Sequence, residues 1–280
     1  MALKLYKPKT SGIRHASVIR DASLTKKRPL KALLLPKRKQ GGRNAQGKIT
    51  VRHQGGGAKQ YIRIVDFKRN KFDIPARIVS LEYDPGRNAR LALLQYHDGE
   101  KRYIIAPQNL AVGSVIISSQ KQVDIKIGNN LKLKHIPTGT EVYNVEMTPG
   151  AGAQFCRSAG NYATLSSLDN GHALLKMPSG ESRMVSQECM ATIGMASNPE
   201  FRNIRWGKAG RMRHRGIKPT VRGKAMNPVD HPHGGGEGKH PIGMKHPKTY
   251  TGKNALGVKT RSAKKASNSM IISRRKGKTK

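Results

Sequence analysis

Ala76-Arg-Ile-Val-Ser-Leu-Glu-Tyr83, then Asp84-Pro-Gly86, then Arg90-Leu-Ala-Leu-Leu-Gln-Tyr-His97, then Asp98-Gly99, then Arg102-Tyr-Ile-Ile-Ala106: this stretch decides the fold class. Short runs rich in β-branched and aromatic residues, punctuated by turn residues, read as strands. Asp84-Pro-Gly86 turns the first run into the second, and Asp98-Gly99 has the composition of a tight hairpin between the second and third. Outward from it, Tyr61–Phe67 precedes and Ser114–Ser118 follows. Five short strands within about 60 residues predict a small closed barrel of the oligonucleotide-binding (OB) type. Pro107-Gln-Asn-Leu110 is expected to be its short helix.

A second series of strands follows: Leu131–His135, Glu141–Met147, Gln154–Arg157, Ala163–Leu168, Ala173–Met177, Ser182–Val185 and Met190–Ile193. Pro137-Thr-Gly139, Asp169-Asn-Gly171 and Pro178-Ser-Gly180 supply its turns. The spacing again fits a small barrel, and Gly128-Asn-Asn130 marks the join. The chain is therefore expected to be all-β: a basic N-terminal extension over 1–59, an OB barrel over 60–128, a second barrel over 129–199 and a basic Gly/His-rich extension over 200–280. The first 59 residues carry no sustained period of 2 or 3.6, so they read as extended arm or loop. After Asn198-Pro199 the strand pattern stops, and little regular structure is expected beyond it.

Charge is divided along the same boundaries. The formal net charge is +38, yet residues 1–59 hold 16 Lys/Arg against the single acid Asp21, and residues 205–280 hold 21 against Asp230 and Glu237. The middle, 60–204, balances 17 Lys/Arg with 13 acids. Only the middle has the composition of an ordinary folded protein; the ends repel themselves and need a polyanion to hold one shape. Anionic membrane is disfavoured as that partner, because no apolar run approaches the ~20 residues of a bilayer span. The ends also lack an interfacial stripe, their aromatics being Tyr6, Trp206 and Tyr250. No apolar signal region follows Met1, and Cys156 and Cys189 lie 33 residues apart outside any C-x-x-C pair, so a cytoplasmic protein with two free thiols is expected.

Gly42-Arg-Asn-Ala-Gln-Gly-Lys48-Ile49 nearly spells a nucleotide-binding P-loop, but Ile49 occupies the place of the hydroxyl that would hold Mg²⁺ and no strand precedes it. What survives is its physics: glycines let backbone N–H groups approach phosphates, while Arg43, Lys48, Arg52, His53 and Lys59 supply donors and charge. Arg205 to Lys224 is the densest basic stretch, with Arg211, Arg213, His214, Arg215, Lys218 and Arg222 among glycines. Arginine forks phosphates and stacks on bases. Trp206 suits either a base or the wall of the adjacent barrel. Asn227, Asp230, His231 and His233 invite a metal site or an acid–base pair. Pro232 fixes the backbone between the two histidines, no cysteine is near, and no nucleophile elbow occurs; the spacing favours neither. Histidines that donate to RNA phosphates and 2′-hydroxyls, on glycine backbone that fits a narrow crevice, fit the pattern better. Arg87 and Arg157 sit in polar loops at strand edges of the near-neutral middle, placed either to meet a ligand or as ordinary surface arginines.

These residues also carry a resemblance. Gly41-Gly-Arg-Asn-Ala-Gln-Gly-Lys-Ile-Thr50, Arg52-His-Gln-Gly-Gly-Gly57, Tyr83-Asp-Pro-Gly-Arg-Asn-Ala-Arg90, Arg157-Ser-Ala-Gly160 and Ala225-Met-Asn-Pro-Val-Asp-His-Pro-His-Gly-Gly-Gly-Glu-Gly238 resemble, in order, the bacterial form of the family of the second large-subunit ribosomal protein. Residues 244–268 are the least family-like. The resemblance implies an OB barrel followed by an SH3-like barrel, with extensions threading into 23S-type rRNA. It implies a role in assembly of the large subunit, in association with the small subunit, and near the peptidyl-transferase and tRNA region, alongside other ribosomal proteins. The family's histidine falls on His231, beside Asp230, and is read as organising RNA.

The resulting expectation is a non-enzymatic rRNA-binding protein without a cofactor of its own, with Mg²⁺ only as part of the RNA environment, no membrane partner and no homo-oligomer. Its rivals are a non-ribosomal nucleic-acid chaperone and a hydrolase using Asp230, His231 and His233.

Overall fold

The structure, a computed structural model, describes residues 2–238 and 240–275. The strands in chain order are β1 (Ala2–Leu5), β2 (Ser17–Arg20), β3 (Leu34–Pro36), β4 (Tyr61–Arg63), β5 (Ala76–Glu82), β6 (Leu91–Tyr96), β7 (Lys101–Ile105), β8 (Val115–Ile116) and β9 (Asn130–Lys132). They continue with β10 (Glu141–Tyr143), β11 (Val145–Glu146), β12 (Ala153–Phe155), β13 (Ala163–Asp169), β14 (His172–Lys176), β15 (Ser182–Ser186), β16 (Met190–Ile193) and β17 (Ile271–Ser273). Among the described residues the one α-helix is α1 (Ala209–His214). The fold is all-β with barrel-like sheets, as expected.

The described residues form two compact units, one from 2–38, 59–209 and 269–275, the other from 39–58 and 210–268. In the first unit β7-β6-β5-β8 form a four-stranded antiparallel sheet. A parallel bridge from Val65 to Tyr103 joins the segment after β4 to β7. Seven strands, in the order β17-β15-β14-β13-β10-β16-β9, make the second sheet.

Period-2 alternation explains how the two sheets hold together. On β6, Leu91 and Leu93 point into a core shared with Leu131, Val142, Leu165 and Leu175 of the second sheet, while Ala92 and Leu94 fill the first sheet's own core with Ile78 and Ile116. On β7, Tyr103 and Ile105 take the shared side and Ile104 the other. Burial on both faces gives the continuous apolar run Leu91-Ala-Leu-Leu94, where a one-sided strand would alternate. Each fully buried Leu or Ile contributes roughly 1.5–3 kcal/mol. Tyr143 adds a bond from its hydroxyl to the Ile105 carbonyl (2.9 Å), and Ser197 Oγ accepts from the Arg90 amide (2.9 Å). Glu146, 2 % exposed, is satisfied by three backbone amides, those of Gly150, Gly152 and Met190.

Three expectations are corrected. Pro107–Leu110 is a turn and no helix: Pro107 bridges to Ala196, the Gln108 amide donates to the Met195 carbonyl (2.8 Å), and Asn109 is left-handed (φ 62°). An amide already bonded to another strand cannot start a helical ladder. The first 59 residues hold three strands, β1, β2 and β3, each too short to leave a periodic signal; β1 pairs with β2, and β3 pairs with β4 beyond them. Ile271–Ser273, β17, adds an edge to the second sheet beside β15, so the chain's final described stretch is a strand of that sheet.

Candidate nucleic-acid interface

In the first unit the two arginines of the near-neutral middle meet over one ring. The guanidinium of Arg157 lies 4.8 Å from the Phe67 centroid and that of Arg87 lies 5.5 Å from it. Phe67, Arg87 and Arg157 with Gly86, Asn88 and Ser158 line a cavity of about 310 Å³. Asp84 holds two of the lining residues: its buried carboxylate accepts the Gly86 amide (2.8 Å) and pairs with Arg87 (3.0 Å), as well as with Arg63 (3.5 Å). Arg87 is thereby aimed. Before Arg157, Cys156 is buried and left-handed (φ 53°), while Arg157 itself is exposed. Among the described residues Arg157 pairs with no acid, so its charge is available to an anion. Phe67 itself carries no charge signal and was not legible as a site residue.

In the second unit, residues from the two basic extensions pair with each other. Gln54 bridges antiparallel to Ile217; the amides of Gly55, Ala58 and Lys218 bond to the carbonyls of Gly216, His214 and His53 (each 2.9 Å). The approach is close enough that a Cβ at Gly57 would lie 2.8 Å from the Gly216 nitrogen. Helix α1 ends at His214, two residues before Gly216 (φ 86°), so Arg213 and His214 are exposed in its last turn and Arg215 in the turn that follows. The glycine loop is closed by Asn44, whose Oδ1 accepts the amides of Gln46 (3.1 Å) and Lys48 (3.0 Å), and by the Gly42 carbonyl, which accepts Thr50 (2.9 Å) and Val51 (3.1 Å). Arg43 and Lys48 are exposed on it. The Arg52 guanidinium stands over the Tyr250 ring, 4.1 Å from its centroid.

The histidine segment is a hydrogen-bonded loop. Asn227 O accepts the amides of Asp230 (3.0 Å) and His231 (3.4 Å), and His231 O accepts Gly234 (2.8 Å). His231, 9 % exposed, accepts the His233 amide at Nδ1 (3.0 Å), which puts its own proton on Nε2. His233 accepts the Lys248 amide at Nε2 (2.7 Å), so its proton is on Nδ1. The two rings are 4.7 Å apart and tilted by 58°. Desolvation, then the neighbouring His231, hold the His233 imidazole below its ordinary pKa. Both rings thus serve the loop as neutral acceptors. Asp230 is exposed and, among the described residues, its carboxylate meets neither histidine; an Asp–His acid–base pair is not formed. No group of three or more His, Cys, Asp or Glu among the described residues is placed to hold a metal ion.

The remaining expected residues are dispersed. Arg205 and Trp206 lie in the first unit, where the Arg205 amide donates to Ser17 Oγ (2.8 Å), the Arg205 carbonyl accepts the Ser17 amide (2.9 Å), and Trp206 packs edge-on to Phe201 at 6.2 Å. Trp206 is therefore held by a neighbouring ring, yet it stays partly exposed. Lys59 stands over Tyr61 (5.7 Å). Arg222 and Lys218 are exposed, Arg211 is half-buried, and Lys224 Nζ donates to the His240 carbonyl (3.1 Å). Asn227 is exposed and contributes its backbone carbonyl to the loop.

Comparison with known proteins agrees over most of the chain. Residues 30–118 match the family described as Ribosomal Proteins L2, RNA binding N-terminal domain. Residues 126–252 match Ribosomal Proteins L2, C-terminal domain. The large ribosomal subunit protein uL2 of Roseobacter denitrificans is 54% identical over 280 residues, 100% of this chain and 99% of the relative.

Proposed function

Because this chain belongs to the ribosomal protein L2 family, we propose that it is held in the large subunit by rRNA that fills the Arg87–Phe67–Arg157 cavity and covers the paired basic segments around 39–58 and 210–224. As a member of a structural, ribosomal family it is a cytoplasmic ribosome component and not an enzyme. The observation that carries the reading is the pairing of residues 53–58 with 214–218. Like charges from the two extensions are brought side by side, and their mutual repulsion is offset when a polyanion lies across them. Binding at such a surface reads RNA shape and phosphate position, and it needs no cofactor beyond the Mg²⁺ of the RNA itself.

The finer role follows from the same chemistry. The protein supports subunit assembly by ordering rRNA segments that meet at its two basic surfaces. The loop around His231, built of glycine backbone and neutral imidazoles, organises RNA near the peptidyl-transferase and tRNA region, and neighbouring ribosomal proteins and the small subunit meet the faces that RNA leaves open. Arg43, Lys48, Arg213, Arg215, Lys218 and Arg222 contribute phosphate contacts, while His231 and His233 shape the loop. The test is co-sedimentation of the labelled protein with large subunits through a salt series. Association that survives moderate salt and is released at high salt is expected; failure to co-sediment at low salt overturns the proposal.

A further inference from the structure

We propose that Arg52 and Tyr250 form a shelf on which one unpaired RNA base stacks. The inference rests on the rRNA-binding reading above and adds a contact of a different kind. The guanidinium of Arg52 lies 4.1 Å from the Tyr250 centroid. Arg52 is exposed, and Tyr250 is 53% exposed. Among the described residues the Arg52 guanidinium has no acid or hydrogen-bond acceptor. A cation that only needed neutralising would project freely into solvent; this one is held over an aromatic ring while staying exposed.

Both members are fixed from behind. Arg52 lies between Val51, whose amide bonds to the Gly42 carbonyl (3.1 Å), and His53, left-handed (φ 62°), whose carbonyl accepts the Lys218 amide (2.9 Å). Tyr250 sits in a turn closed by Thr249 and Lys253 (2.7 Å) and by Gly252 and Thr249 (3.0 Å). Lys248 and Asn254 bridge the base of that turn, and the Lys248 amide is anchored on His233. A pair whose backbone is held in place has less freedom to lose on binding, which is what a stacking platform requires.

The geometry selects the ligand class. Guanidinium on an aromatic ring leaves N–H groups at its edge for a phosphate and a flat cationic face for a π-surface. Unpaired RNA bases are recognised on such faces, whereas paired bases present none. The ring over which Arg52 stands, Tyr250, comes from residues 244–268.

The experiment uses the full chain and an in vitro transcript of the large-subunit rRNA, with affinity measured across a salt series. Tyr250→Ala and Arg52→Lys are each expected to weaken binding by about 5- to 150-fold, the range of one base–aromatic stack. The slope of log affinity against log salt should stay unchanged for Tyr250→Ala, because no phosphate contact is lost. Tyr250→Phe should retain wild-type affinity. Tyr250→Leu keeps bulk without a π-face and should behave like the alanine variant. Protection of the Lys218 amide against hydrogen exchange reports that the segment pairing is intact in each variant. Wild-type affinity in Tyr250→Leu, or in Arg52→Lys, overturns the shelf and leaves the rRNA reading standing. Absence of binding by the wild-type chain overturns that reading itself.

Discussion

Gly223 is the support against which His231 rests: a Cβ at position 223 would lie 2.4 Å from Nδ1 of the His231 ring. No real Cβ contact is that short, so the glycine sets where the imidazole sits. Gly223→Ala is therefore expected to push His231 out of its place and break its acceptance of the His233 amide. Overpacking of this kind costs about 1–3 kcal/mol. Hydrogen exchange checks the prediction: the His233 and Gly234 amides should exchange faster in the variant, while the strands of the first unit keep their protection. Unchanged exchange at both amides would refute it.

Arg87 and Arg157 share the Phe67 ring but differ in their neighbours, and that predicts different costs. Arg157→Met should leave stability within ~0.5 kcal/mol, as for an exposed side chain. Arg87→Met leaves the buried Asp84 carboxylate with the Gly86 amide and one cation, Arg63, and should destabilise the first unit by more than Arg157→Met does. Each should flatten the salt dependence of rRNA binding by about 0.7–0.9 in log–log slope. Denaturant melts and a salt titration of the two single variants test both halves. Equal melts with unaltered slopes would remove the cavity from the interface.

The strands were legible because their signals are local. The runs 76–83, 90–97 and 102–106 coincide with β5, β6 and β7 to within a residue or two, since β-branched residues and Asp-Gly turns act over a few positions. Arg87 and Arg157 were legible as isolated charges, but their meeting on Phe67 depends on a contact 90 residues apart that no spacing encodes. The same holds for the ladder between 53–58 and 214–218, made of backbone bonds that leave no side-chain pattern. Tyr250 was invisible for another reason: a lone aromatic in a basic segment has no period, and only Arg52 over its ring gives it meaning.

Lowering the pH should loosen the histidine loop. His233 has its folded-state pKa depressed below the ordinary value near 6.5, by desolvation and by His231. The folded loop then binds fewer protons than the unfolded one between the two pKa values, so its stability rises with pH. The contribution is complete above about pH 6.5 and is lost as pH falls through the depressed value. Protonation also converts Nε2 from acceptor to donor and removes the bond from the Lys248 amide. Exchange of that amide, corrected for its intrinsic pH dependence, should accelerate on acidification in the wild type. In His233→Gln the acceleration should vanish; if it persists, another group controls the loop.

The shared core predicts that the two sheets melt together. Leu91 is fully buried and faces Leu131, Val142 and Leu165 from the far side of β6, while Ala92 and Leu94 on the same strand fill the other core. A cavity at position 91 therefore weakens the joint and not one barrel alone. Leu91→Ala should cost about 2–5 kcal/mol. Because β6 belongs to both cores, the loss should appear as one cooperative transition at lower denaturant, followed equally by probes on β5 and on β14. Two separated transitions, with the β14 probe unmoved from wild type, would mean that the sheets fold independently and that their common core adds little.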